Sequence, residues 1–104
     1  MTDKYYYTNF DKEQVTQALG LTDIDGNALD EVTEGIGGTY YQNKDYVFLW
    51  VGKIPKTRDE NGVPLTYEAD GANLFNVRFI NEEAMSDFSS YTEIAPVTPV
   101  SVFA

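Results

Sequence analysis

Asp23, Asp25, Asn27 and Glu34 have the spacing of positions 1, 3, 5 and 12 of a calcium-binding loop, where oxygen ligands surround the ion. The likeness stops there. Ala28 stands where such a loop needs Gly for its sharp turn, and Asp30 stands at the usual apolar eighth position. Gly35, Gly37 and Gly38 follow where an exiting helix should begin. The stretch reads as a turn loop with Asp25-Gly26-Asn27 at its tip, and no metal ligand is assigned.

Other candidates for chemistry fail on similar grounds. Glu82 and Glu83 are adjacent, and neighbours on a helix do not face each other, so they read as charges at a helix start. Ser86, Ser89 and Ser90 have no histidine to activate them, and nothing pairs a serine with Lys53 or Lys56. Gly35-x-Gly37-Gly38 lacks the Lys-Ser/Thr of a phosphate loop and precedes a strand. Glycoside hydrolysis needs two separated, differently tuned carboxylates, which the sequence does not reveal. The 104 residues contain neither His nor Cys, which removes the commonest general base, metal ligand and thiol nucleophile, and any disulfide. The expectation is a protein without catalytic residues, metal or cofactor.

The chain carries 17 acidic against 7 basic residues, a formal charge of −10. Nucleic acid and anionic membranes repel such a polyanion, so neither is expected as a direct ligand. The acidic residues are scattered among apolar ones and form no tail, which fits a solvated surface. Carboxylates at phosphate-like spacing would instead make a nucleic-acid mimic that inhibits a host nucleic-acid-binding or defence protein, and this alternative stays open. Residues 1–20 hold Asp3, Lys4, Asp11, Lys12 and Glu13 with no apolar stretch of a signal peptide. The longest apolar run, Val47 to Val51, is too short to span a bilayer. A soluble protein made in the cytoplasm is expected, folded as a single domain over 1–104 with an extended C-terminal segment over 96–104.

The local pattern is strand, helix, loop, meander, helix, tail. Tyr5 to Phe10 is β-prone. Asp11 and Gln14 can form a capping box, Val15, Ala18 and Leu19 supply an apolar face, and Gly20 is a left-handed stop; the helix is expected at about residues 12–19. Residues 22–38 are rich in turn formers. Thr39 to Tyr41, and more clearly Tyr46 to Ile54, read as strand; the second has Val47, Leu49 and Val51 on one face and Phe48 and Trp50 on the other, which suggests a central position. Pro55 ends it, Asn61-Gly62 marks a hairpin, and Leu65 to Glu68 can return. Asn73 to Ile80 reads as another strand, and Asn81 can cap a second short helix with Ala84, Met85 and Phe88 inward. The fold class is α+β, a small, mainly antiparallel sheet of three to five strands with two short helices.

Tyr and Trp are enriched at protein interfaces, and each polar tip needs a partner when buried. Tyr5, Tyr6, Tyr7, Tyr40, Tyr41, Tyr46, Trp50 and Tyr67 cannot all be fully buried, and the first seven of this set are taken as candidate interface residues. Val100, Val102 and Phe103 join them, because the C-terminal segment stays apolar to its last residue and should dock along its own sheet edge or a neighbour's.

Some segments resemble small uncharacterised proteins of tailed bacteriophages and prophages, encoded among tail or lysis genes. They are Tyr6-Tyr7-Thr8-x-Phe10-Asp11-Lys12, Leu21 to Asn27, Trp50 to Pro55 with the Asp59 to Gly62 turn, and Ala95 to Ala104. The resemblance implies an accessory or virion-associated role, as a tail component or assembly factor, and no chemistry. It places the protein in the bacterial host cytoplasm or the virion. The expected partner is a protein, either a phage structural or a host protein, with a homo-oligomer also open.

Overall fold

The computed structural model describes residues 2–36 and 40–94. Strand β1 (Thr2–Thr8) leads into helix α1 (Lys12–Ala18), then come β2 (Thr33–Glu34), β3 (Tyr41–Gln42) and β4 (Tyr46–Gly52). A hairpin of β5 (Pro55–Arg58) and β6 (Pro64–Tyr67) follows, then a 3-10 turn (Glu68–Gly71), β7 (Asn73–Phe79), a 3-10 helix (Glu82–Phe88) and β8 (Thr92–Glu93). Six strands form one sheet in the order β2-β3-β4-β7-β1-β8, every pairing antiparallel, and β5 and β6 form a separate two-stranded sheet. The class is α+β. The main sheet is wider than the expected three to five strands because it gains β2 and β8, of two residues each, too few for an alternating pattern to register. The second helical element is 3-10 and not α; Asn81 caps it as expected, accepting from the Glu83 N–H at 3.1 Å.

Helix α1 starts where its capping box requires. The Asp11 carboxylate accepts from the Gln14 N–H at 2.8 Å, and the Gln14 side chain accepts from the Asp11 N–H at 3.0 Å, so two otherwise orphaned donors are satisfied. The helix stops at a left-handed Gly20, with the Leu21 N–H reaching back to the Thr16 carbonyl at 2.8 Å. That reversal drops Leu21 into the core, fully buried.

The core lies on one face of the sheet. Register places Tyr6, Phe75 and Trp50 in one cross-strand row and Phe48 beside Val77 in the next. Val15 from α1 and Ala84 and Phe88 from the 3-10 helix close over these residues, so both helical elements pack on this face. Rings dominate it. Phe75 lies 5.5 Å from Tyr6, 5.1 Å from Phe48 and 5.2 Å from Tyr91, and Phe88 lies 5.1 Å from Tyr46 and 5.4 Å from Phe79, in the stacked, tilted and edge-on arrangements aromatic pairs favour. The opposite face carries Leu49, Leu74 and Asn76, which are buried too. Asn76 donates from Nδ2 to the Lys4 carbonyl at 2.9 Å, and its Oδ1 is buried without a hydrogen-bond partner. Strands β4 and β7 are therefore apolar on both faces because both lie inside the sheet.

Candidate functional site

Strand β4 ends at an irregularity. Its register against β7 slips between Trp50 and Gly52, and Gly52 has φ +82°, a left-handed conformation that costs an L side chain about 1–2 kcal/mol. The bulge turns the chain out of the sheet, and the hairpin formed by β5 and β6 projects as an arm. Its base is anchored: Ile54 and Glu68 are buried, and the Glu68 N–H donates to the Ile54 carbonyl at 2.9 Å. Its tip is built on Asp59, whose Oδ1 accepts from the Asn61 and Val63 N–H groups, each at 2.9 Å. Gly62 at φ +81° closes the turn, and the Arg58 guanidinium donates to its carbonyl at 2.8 Å. Midway, the Thr57 and Thr66 hydroxyls share a hydrogen bond of 2.7 Å across the strands.

The pairing of β6 with β5 is irregular, its register shifting between Pro55 and Thr57 and again between Thr57 and Arg58. Three apolar side chains on or beside β6 are in solvent. Val63 is 54% exposed, Leu65 62% and Tyr67 37%. The remaining large exposed apolar side chains among the described residues stand singly in the sequence, at Phe10, Ile24, Leu29, Ile36 and Ile80. Single exposed apolar residues are ordinary, whereas Val63, Leu65 and Tyr67 lie within five residues of one another on one hairpin. Lys53, Lys56 and Arg58, three of the chain's seven basic residues, lie on or beside the arm, with Asp59 and Glu60 at its tip, and Lys53 sits over the Tyr67 ring at 6.0 Å. Pro55 and Pro64 flank the strands, a feature that discourages open edges from pairing indiscriminately.

The structure divides the aromatic set singled out in the sequence. Tyr6, Tyr41 and Tyr46 are core residues, and burial pushes the Tyr46 phenol up to about 12 and the Tyr6 phenol upward as well. Trp50 is half-buried and stacked on Phe75, with planes 9° apart. Tyr5 and Tyr7 lie half-buried on the face opposite the aromatic core, and Tyr40 is half-buried beside β3. Val100, Val102 and Phe103, and the segment 96–104 as a whole, lie outside the described residues. Of the exposed residues around β6, Tyr67 belongs to the aromatic set of the sequence, whereas Val63 and Leu65 escaped it. Their signal was the alternation of Val63, Leu65 and Tyr67 after the Asn61-Gly62 turn, which marks a strand but not whether its apolar side is covered.

The loop with calcium-like spacing is held by its own backbone. Asp23 Oδ1 accepts from the Asp25 and Asn27 N–H groups at 2.9 and 3.0 Å, so that oxygen stabilises the turn. Glu34 sits away on β2, paired with Tyr41. Among the described residues no group of three or more Asp or Glu is placed to hold a metal ion, and no helix is long and apolar enough to cross a membrane.

A second surface faces the other end of β4. An open groove of about 710 Å³ lies beside the turn before that strand, with Leu29 and Val32 as apolar lining and Asp30, Glu31 and Asp45 as acidic lining, alongside Lys44. Comparison with known proteins returned no match: no family model, no curated protein and no solved structure is significantly similar to this chain.

Proposed function

We propose that the chain works by protein–protein contact and not by catalysis, as an accessory or virion-associated protein of a tailed phage or prophage, in the tail or its assembly. The observation that carries this reading is the arm. A preformed hairpin, tied at its base and tip by backbone hydrogen bonds, holds Val63, Leu65 and Tyr67 out in water. Keeping them exposed forfeits burial free energy, roughly 1.5–3 kcal/mol per fully buried side chain, unless a partner covers them. The phage setting rests on the sequence resemblance. The test is site-specific photocrosslinking in cells carrying the induced phage, with the photoreactive residue at Leu65 or, as a control, at the isolated exposed Ile24. Discrete adducts from position 65, identified as phage structural or assembly proteins and absent from position 24, support the reading. No adduct from position 65 overturns it.

A further inference from the structure

We infer that the tip of the arm is a site of spontaneous covalent modification, where Asn61 becomes aspartate and isoaspartate through a succinimide formed with Gly62; this goes beyond the contact reading and does not depend on it. The chemistry needs a side-chain amide, a following backbone nitrogen that can reach it, and no side chain crowding that nitrogen. Of the chain's seven asparagines, Asn61 alone precedes Gly. The others precede Phe10, Ala28, Lys44, Leu74, Val77 and Glu82, each with a Cβ in the way. Four of those six are also held by hydrogen bonds. Asn43 Oδ1 accepts from the Asp45 N–H at 2.9 Å and Asn81 Oδ1 from the Glu83 N–H at 3.1 Å, while Nδ2 of Asn73 and of Asn76 donates to the Phe10 and Lys4 carbonyls, each at 2.9 Å.

The tip is open to the reaction. Asn61 and Gly62 are both exposed, and the space a Cβ would fill on Gly62 is empty of other atoms within 4 Å. Gly62 pays little to leave its φ of +81° and bring its nitrogen toward the side chain. One hydrogen bond restrains that nitrogen, from the Gly62 N–H to the Asp59 carbonyl at 3.1 Å, and an exposed bond at a hairpin tip opens at small cost. The Gly62 nitrogen then attacks Asn61 Cγ. The N–Cγ bond forms, the Cγ–Nδ2 bond breaks, and the proton from the Gly62 nitrogen leaves with the amide as ammonia. Water opens the ring at the side-chain carbonyl to give aspartate, or at the backbone carbonyl to give isoaspartate, in which the main chain runs through the side-chain carbon. Both products add a negative charge. Isoaspartate also lengthens the backbone inside a turn pinned at 2.9 Å from Val63 N–H to Asp59 Oδ1 and at 2.8 Å from Arg58 to the Gly62 carbonyl, so those bonds are lost together.

The test ages the full folded chain in warm, mildly alkaline buffer beside the same chain in urea, and maps the peptides by mass spectrometry with fragmentation that separates aspartate from isoaspartate. Asn61 should convert first of the seven asparagines, giving both products, and at a rate within about tenfold of that in urea, since one exposed hydrogen bond is all that must open. Asn61→Gln, which can close only a slower six-membered ring, should remove both products at this position with an unchanged circular dichroism spectrum. The isoaspartate fraction, isolated by anion exchange, should show faster hydrogen exchange at Gly62 and Val63. An Asn61 that stays intact in the folded chain while it converts in urea, another asparagine that converts earlier, or an isoaspartate fraction with unchanged exchange at Val63 overturns the inference. None of these results bears on photocrosslinking from position 65, which tests the contact reading separately.

Discussion

Strands β4 and β6 are both rich in apolar residues, yet the fold treats them in opposite ways. Strand β4 lies between β3 and β7, and its Phe48 and Leu49, which point to opposite faces, are both buried. Strand β6 has one neighbour, β5, and leaves Leu65 mostly in water. The same side-chain chemistry builds the core in one strand and is left in solvent in the other. What separates them is the bulge at Gly52, which takes the chain out of the sheet before the second hairpin forms.

The contrast is broken most severely from the core side. Phe75→Ala removes a fully buried ring that touches Tyr6, Phe48 and Tyr91, and should cost about 3–5 kcal/mol. That is much of a small domain's stability, so urea unfolding should shift to far lower denaturant or the variant should fail to fold. Leu65→Ala, the matching deletion on the arm, should leave the unfolding midpoint within about 0.5 kcal/mol of wild type.

Alkaline pH gives the next effect. Burial raises the folded-state Tyr46 phenol from 10.0 to about 12, so the neutral form is favoured in the folded chain. A raised folded value contributes stability that is complete below the unfolded value and lost as pH rises through the folded one. Stability should therefore fall between pH 10 and about 12, and Tyr46→Phe should flatten that part of the profile in denaturant titrations. An unchanged slope in the variant would place the alkaline sensitivity elsewhere.

Gly52→Ala tests the junction. The added Cβ meets only Trp50 Nε1, at 3.7 Å, so space is not the obstacle, and the left-handed backbone is. A loss of about 1–2 kcal/mol is expected, with altered hydrogen exchange at the base of the arm. The smallest effect belongs to the tip. Asp59→Ala removes the acceptor for the Asn61 and Val63 N–H groups and should speed their exchange with solvent, while global stability changes by less than about 1 kcal/mol.

The sequence made much of the body legible. Asp11, Gln14 and Gly20 fixed the ends of α1 because capping is local chemistry. The two-sided apolar pattern of β4 suggested its central place, and β7 was legible as a strand, because each pattern runs over seven residues. Strands β2 and β8 were invisible for want of length, β3 showed only through the β-prone Thr39 to Tyr41, and the pairing of all three depends on contacts that no local pattern reveals. The tyrosines were ambiguous for a chemical reason. A phenol has an apolar body suited to a core and a polar tip suited to an interface, and only the sheet order put Tyr6 over Phe75 and Phe88. The arm was half legible: its turn was plain, but its lack of a covering layer is a property of the whole fold.

The central claim is that the body supplies stability and the arm supplies contact, and Leu65→Ser measures both at once. Equilibrium unfolding in urea should show an unchanged midpoint, and photocrosslinking from position 63 in the cell should give fewer adducts than the same probe beside Leu65. A midpoint lowered by several kcal/mol would make Leu65 part of the folding core, and an undiminished adduct yield would remove the arm from the contact; either result contradicts the account.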